Sequence, residues 1–469
     1  MVEHRKPGLS LALLALAQLI FALDLNIVFV ALPDISAELG FTSQNQQWVV
    51  SAYVVVAGGF LLLGGRAADL LGRRRMFVLA LVVYAVSSLA GGLATSPGVI
   101  IAARAVQGLG GALLLPSTLA LLNTLFEEGP RRNRALAVWG GAGASGLTVG
   151  ALLGGVLTES FGWPAVFFVN VPLAGLVALA ALAVIPADGR SGVRRRFDLP
   201  GALTVTGGAT LLVFVLVQGP EAGWTSSTVV LAAVLAVALL AAFAVIETRS
   251  ADPLMPPRLL RNRSLVVAVA VTAIFMGTFG ALPYFLTVLL QDVHRFSALE
   301  AGLAFLVPSL AIAAGTQVGE RAATRLGTRT TLITGFAIGV VGTAGLVFGF
   351  DAERTFLAAV PGLVVSGVGQ GIVWTAMWIA ASAGVAAHEQ GVASGLASTA
   401  LNLGNAVGLA VLIAVANTGV PEGAGAREAI AGGGAIAVLL TAVGMVVGLG
   451  AVFALPRRAP VVEQAPALV

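Results

Sequence analysis

The chain has 469 residues, of which 58% are hydrophobic and only 10% charged, with a formal net charge of +4 and a mean hydropathy of +0.97. That much apolar surface exceeds what one water-soluble core hides, which excludes a soluble globular protein and leaves a polytopic membrane protein. The absence of cysteine and the presence of only three scattered histidines exclude disulfides, thiolate metal sites and a histidine ligand cluster, so no metal is expected.

A helix needs about 20 apolar residues to cross the hydrocarbon. Breaks at charges, prolines and glycines divide the chain into fourteen such runs, at 9–32, 47–66, 76–95, 98–124, 134–157, 164–186, 199–219, 225–246, 265–290, 299–320, 329–350, 356–385, 392–416 and 433–455. The fold class is therefore all-α. The first run has no cleavage site and leads into further spans, which marks it as a membrane helix rather than a signal peptide. Placing the N-terminus inside leaves only Arg295, Arg354 and Arg427 outside and Arg104 within a span, so 22 of the 26 basic residues fall in cytoplasmic segments. These include Arg73 to Arg75, Arg131, Arg132, Arg134, Arg194 to Arg196, Arg457 and Arg458. The positive-inside rule then puts both termini in the cytoplasm, and arginines grouped this way are those of loops, not of a nucleic-acid surface. Lysine occurs once, at Lys6, against 25 arginines, and Ala and Gly abound. This is the bias of a GC-rich bacterial genome, so the expected location is a bacterial cell membrane.

In chain order, the first anomaly is FALDLNIVFVALP, residues 21–33, which sets Asp24 amid apolar residues. A helical register puts Asp24 on one face with Ile20, Phe21, Ile27, Val28 and Ala31, while Asn26 points elsewhere, toward a neighbouring helix. After the second run comes GRAADLLGRRR, residues 65–75. Gly65 there allows close helix approach, Gly72 suits a sharp turn with φ > 0, and Asp69 can meet a helix N-terminus or an arginine such as Arg73. An ordinary basic loop is the alternative. The fourth run contains RAVQGLGGA, with Arg104, Gln107 and Gly108 on one face. A guanidinium inside a span costs about 2.5 to 3.5 kcal/mol on insertion scales, so Arg104 should face the bundle interior with a partner; snorkelling to the outer surface is the alternative. At about 1.5 Å per residue, Asp24 and Arg104 lie at depths differing by only a few Å and can pair. Burial opposes the charge of Asp24 and an arginine favours it, which makes the carboxylate a candidate for proton exchange; a static strut is the other reading. The fifth run, GGAGASGLTVGALLGGVL, repeats Gly146, Gly150 and Gly154 at every fourth position, a smooth stripe for tight helix packing.

An internal repeat organises the whole. ERAATRLGTRT, residues 320–330, shares R-A-A-x-x-L-G with the loop at 65–75 at a separation of 255, pairing Arg66 with Arg321 and Gly72 with Gly327. The expected organisation is an N-terminal six-helix bundle at 1–190, two inserted membrane helices with linkers at 191–262, and a C-terminal six-helix bundle at 263–469. Such repeats are found in secondary transporters, with the site between them near the midplane.

These stretches together resemble the major facilitator superfamily, in its fourteen-helix branch of drug:proton antiporters, over nearly the whole chain. GRAADLLGRRR is similar to the signature loop, matching at Gly65, Asp69, Gly72 and Arg73, which in that family acts as a cytoplasmic gate. RAVQGLGGA resembles the arginine motif, and the glycine stripe resembles the antiporter motif with Ala151 where proline is usual. LDLNIVFVALP resembles the branch's opening motif, with Asn26 and Phe29 as departures, and GWPAVFFVNVP, residues 162–172, keeps Asn170 and Pro172. ADPLMPPRLLRNRS and HEQGVASGLASTALNLGNAVG also resemble the branch. The resemblance implies the major facilitator fold and proton-coupled multidrug or antibiotic efflux by alternating access, with Asp24 and Arg104 coupling the proton and no cofactor beyond the proton gradient. Its partners would be protons, the lipid bilayer and a lipophilic small molecule, cations included, with a monomer as the expected state and no nucleic acid. Candidate cavity contacts are Tyr53, Gln107, Phe275, Met276, Phe279, Tyr284, Gln370, Trp374, Trp378, Asn402 and Asn405, each with ordinary helix packing as its alternative. A proton-coupled uptake symporter for a small organic solute is the rival function. A membrane enzyme lacks any catalytic constellation in this sequence.

Overall fold

The computed structural model describes residues 7–41, 46–188, 198–250, 253–351, 353–418 and 426–456. Lys6, the arginine groups 194–196 and 457–458, and both termini lie outside the described residues. Fourteen helices among the described residues are long and apolar enough to cross a membrane. They are α1 (Pro7–Leu39), α2 (Trp48–Leu71), α3 (Arg73–Gly92), α4 (Pro97–Leu125), α5 (Pro130–Phe161), α6 (Pro164–Val184), α7 (Leu199–Gly219), α8 (Ser227–Arg249), α9 (Arg263–Val293), α10 (Glu300–Leu326), α11 (Thr328–Gly349), α12 (Val360–Ser382), α13 (Ala387–Ala416) and α14 (Arg427–Val452).

The helices begin and end where local chemistry requires. α4, α5 and α6 open on proline, whose missing N–H would have no partner in a first turn anyway. The tight corners α2–α3 and α10–α11 turn on Gly72 at φ +107° and Gly327 at φ +81°, a region closed to most side chains. The two repeated loops therefore fold alike, at the same end of the molecule, called here the corner end.

Two elements differ from the sequence expectation. Asp34 and Glu38, expected in an outer loop, lie on α1, which continues past Pro33 to Leu39. One lost backbone hydrogen bond does not end the helix, and Glu38 is held by the Trp163 indole N–H at 2.9 Å. α9, expected as one continuous helix, is broken: an α-helix to Thr278, a 3-10 turn at Phe279–Ala281, a second α-helix at Leu282–Val288 and a wide π turn at Leu289–Val293. Pro283 and Gly280 account for the interruption, since one removes a donor and the other tolerates the bend.

α1 packs along α5, α2 and α3 along α4, and α6 against α1 and α3. In the other half, α12 packs between α10 and α11, α9 along α13, and α14 against α9, α11 and α13. The halves meet along two seams. α2 and α4 touch α13, and α5 touches α10 and α12. The α7–α8 hairpin lies outside both, with α7 on α2 and also touching α13.

Candidate functional site

Asp24 sits on α1 about 26 Å along the axis from Pro7, in the half of the membrane away from the corner end. Arg104 on α4 reaches it: NH1 donates to Oδ2 at 2.6 Å, and both side chains are sealed, at 0% and 1% exposure. Two further donors converge on Oδ1, Gln107 Nε2 from α4 and Asn170 Nδ2 from α6, each at 2.9 Å. Arg104 is satisfied elsewhere as well. Its Nε donates to the Val49 carbonyl at 2.9 Å, NH1 also donates to Gln107 Oε1 at 2.7 Å, and its guanidinium carbon lies 4.5 Å from the Tyr53 ring centroid. Gln107 in turn donates to Ser88 Oγ at 2.8 Å, linking α3. The carboxylate, expected to meet Arg104 amid apolar residues, does so at the centre of a network drawn from five of the first six helices. A buried ion pair is tolerable only when its remaining donors and acceptors find partners, and these do.

The glycine stripe positions this carboxylate. A Cβ on Gly146 would lie 2.7 Å from the Leu19 carbonyl oxygen, one on Gly150 would strike the Leu23 carbonyl, and one on Gly154 would fall 2.9 Å from the Ile27 carbonyl. α5 therefore seats α1 backbone to backbone on both sides of Asp24, a contact that no other residue type permits at this spacing.

At the corner end, Asp69 on α2 crosses the seam to α13. Its carboxylate accepts the Gly391 N–H at 3.1 Å and the Val392 N–H at 2.9 Å, free donors of a helix start, and the Arg73 guanidinium at 3.1 Å. Arg73 also donates to the Ala387 carbonyl. Gly65 and Gly391 stand face to face, since a Cβ on either would strike the other's carbonyl. Beside this latch, Arg258 in the segment leading to α9 pairs with Glu389 at 2.7 Å. Within the N-terminal half, Asp188 accepts the N–H groups of Arg74 and Arg75, each at 3.0 Å, capping α3. The second seam is lighter at the same level, where Asn133 Nδ2 on α5 donates to Thr324 Oγ1 on α10 at 3.1 Å. Further along it, the hydroxyls of Thr148 and Ser309 meet.

The candidate cavity residues divide into groups. Tyr53 and Gln107 are fully buried in the Asp24 network and are not cavity contacts in this conformation; their faces were legible, but not that α2 and α4 close over them. Phe275, Phe279, Trp374 and Trp378 join one aromatic cluster that spans the second seam. Trp139 on α5, which the sequence reading passed over, completes it: its ring stacks on Trp374 at 6.2 Å and meets Trp378 edge-on at 5.6 Å. None of the three indole N–H groups has an acceptor among the described residues, and each such orphan costs about 1 to 3 kcal/mol. Met276, Gln370, Asn402 and Asn405 are half-buried, and a Cβ on Gly280 would lie 2.9 Å from Met276 and 3.1 Å from Asn405, which brings those two together at the break in α9. Tyr284 is 44% exposed, its ring against Phe285, apart from the others.

Asn170, Ser88, Asp188, Arg258 and Glu389 were missed as site residues. Asn170 carried a signal as a polar residue named in the sixth run's motif, and Arg258 and Glu389 lie within the quoted stretches ADPLMPPRLLRNRS and HEQGVASGLASTALNLGNAVG, whereas Ser88 and Asp188 carried none.

The sequence model of the Major Facilitator Superfamily matches residues 14–409. The chain is 38% identical over 407 residues to the puromycin resistance protein of Streptomyces alboniger, covering 86% of this chain and 80% of that one. It is 38% identical over 416 residues to the cephamycin export protein of Amycolatopsis lactamdurans, covering 87% and 85%. Among solved structures, a human organic anion transporter superposes with a TM-score of 0.69 at 17% identity, covering 96% of this chain and all of that one, which speaks for the fold alone.

Proposed function

We infer that this chain, which belongs to the major facilitator superfamily and is therefore a multi-pass membrane transporter and not an enzyme, exports lipophilic small molecules, cations included, in exchange for protons by alternating access. The observation that carries the reading is the Asp24–Arg104 pair, a carboxylate and a guanidinium sealed inside one half of the molecule. Relatives named for resistance to, or export of, an antibiotic support the outward direction. The latched corner end is the cytoplasmic face of a bacterial membrane, both termini lie on that side, and the proton gradient is the only energy source required.

The geometry supports a definite mechanism. Ionised Asp24 takes three donors, so α1, α4 and α6 are drawn together around it. A proton arriving there cancels the charge that Arg104 answers. Removing one partner of a buried pair costs about 3 to 5 kcal/mol, but Arg104 keeps the Val49 carbonyl, Gln107 and the Tyr53 face, which offset part of that loss. The neutral form thus loosens α1 from α4 without stranding the arginine. Because α1 is seated on α5, and α5 lines a seam, the change is delivered to the contact between the halves.

The test is Asp24→Asn in everted membrane vesicles. Proton-driven uptake of a fluorescent substrate into the vesicles should fall more than tenfold at normal expression. Undiminished transport would remove Asp24 from the coupling role.

A further inference from the structure

We propose that Trp139, Trp374 and Trp378 form an inner recognition subsite for flat, neutral molecules rich in hydrogen-bond acceptors such as carbonyl and ether oxygens. The inference deepens the efflux reading and rests on it for the subsite's place on the substrate path. Trp139 comes from α5 in one half, and Trp374 and Trp378 come from α12 in the other. The box therefore exists only while these helices are together.

Three observations carry it. First, the rings present faces in different directions: Trp139 and Trp374 are nearly parallel at 10°, while Trp378 stands at 88° and 80° to them, and Phe275 extends the wall at 5.8 Å from Trp374. Second, all three indole N–H groups lack an acceptor among the described residues, although Trp139 and Trp378 are 0% and 3% exposed. An N–H over a ring face is only a second-order contact, so these donors are short of a true partner. Aromatic faces with unpaired donors on their edges are the complement of a planar ligand edged with lone pairs.

Third, the acids of the networks described above are committed. Asp24 is bound to Arg104, Asp69 to the start of α13, and Glu389 to Arg258. Glu320 is a half-buried acid on α10, which touches both α5 and α12, so the choice of a neutral ligand rests on the indoles: an acceptor finds donors already desolvated, which a cation would leave unpaired. The box is also set apart from the ion pair in depth. Trp139 is about 14 Å into α5 from the corner end and Trp378 about 6 Å from the end of α12 at that face, while Asp24 is about 26 Å in. On the efflux reading, a substrate arriving from the cytoplasm meets the indoles before it reaches the level of Asp24. Gly140 makes room for this arrangement, because a Cβ there would lie 2.5 Å from the Trp374 ring nitrogen.

The experiment uses the full chain in lipid nanodiscs and equilibrium dialysis of two labelled probes. One is 1,8-dimethoxyanthraquinone, flat and neutral, with several oxygen acceptors and no donor. The other is ethidium, flat and cationic, with no oxygen. Trp139→Phe, Trp374→Phe and Trp378→Phe keep an aromatic face and remove the N–H. Each should raise the apparent Kd for the quinone about five- to tenfold, the loss of one hydrogen bond to a desolvated donor, and change that for ethidium less than about twofold. Trp374→His, which keeps a ring N–H, should recover most of the quinone affinity and guards against a misfolded phenylalanine variant. Equal losses for both probes, an unchanged quinone Kd in all three variants, or no quinone binding by the wild type would each overturn the proposal. Binding in nanodiscs requires no proton gradient. A failure of the Asp24→Asn vesicle test therefore sinks proton-coupled efflux and leaves the Kd comparison standing, and the reverse also holds.

Discussion

Arg104 uses three different atoms or faces at once, and lysine cannot imitate it. Its Nε holds the Val49 carbonyl, NH1 is shared between Asp24 and Gln107, and the plane of the guanidinium lies by Tyr53. A lysine retains the charge but has a single point of attachment and no planar fork. Arg104→Lys should therefore reduce substrate efflux about tenfold or more while leaving membrane insertion normal, read by dye efflux against surface expression. The pair itself was legible because charges inside apolar runs are conspicuous and helical rise converts position into depth. Its neighbours were not. Asn170 and Ser88 are neutral polar residues of ordinary kinds, and the Val49 carbonyl is backbone, which carries no side-chain signal at all.

Among elements, α1 and α5 are the closest-coupled pair, and the coupling depends on the absence of side chains at defined positions. Gly150 meets the Leu23 carbonyl where a Cβ would be, whereas Gly155, one residue beyond the stripe, has nothing within 4 Å. Gly150→Ala should lower stability by about 1 to 3 kcal/mol, as overpacking does, with Gly155→Ala close to neutral; thermal unfolding in detergent by circular dichroism distinguishes them. The period of the stripe was readable from sequence, since glycine at every fourth residue puts one smooth line on a helix. The break in α9 was not. Its single proline and scattered glycines are common in membrane helices, and whether they bend the chain depends on what packs beside them. It falls at Phe279, which lies 255 residues after Asp24, the same offset that separates the two repeated loops. The two halves thus carry an acid in a regular helix on one side and an aromatic residue at a helix break on the other.

For the whole molecule, the fourteen spans and the repeat were plain in the hydropathy and in R-A-A-x-x-L-G, while the seams between halves were beyond reach because they depend on tertiary approach. The repeat now has a further reading. Asp69 stands where its counterpart is Thr324, so one seam is tied by a carboxylate on a helix start and the other by a neutral hydroxyl. The seams should open unequally. The chain has no cysteine, so one introduced at buried Ala393 reports on the first seam without background. Asp69→Ala should raise its labelling by a membrane-impermeant maleimide, applied from the corner side, severalfold, and Thr324→Ala should raise it less than about twofold. Equal effects would show that the latch is not specific to Asp69. The sealing of Asp24 has a last consequence at this scale. At 0% exposure, Asp24 offers a proton no solvent contact from either face in the conformation described here. Under the proposed coupling, a membrane crowded with idle copies would draw no standing current from the proton-motive force, so dormant protein would burden its host only by the space it occupies.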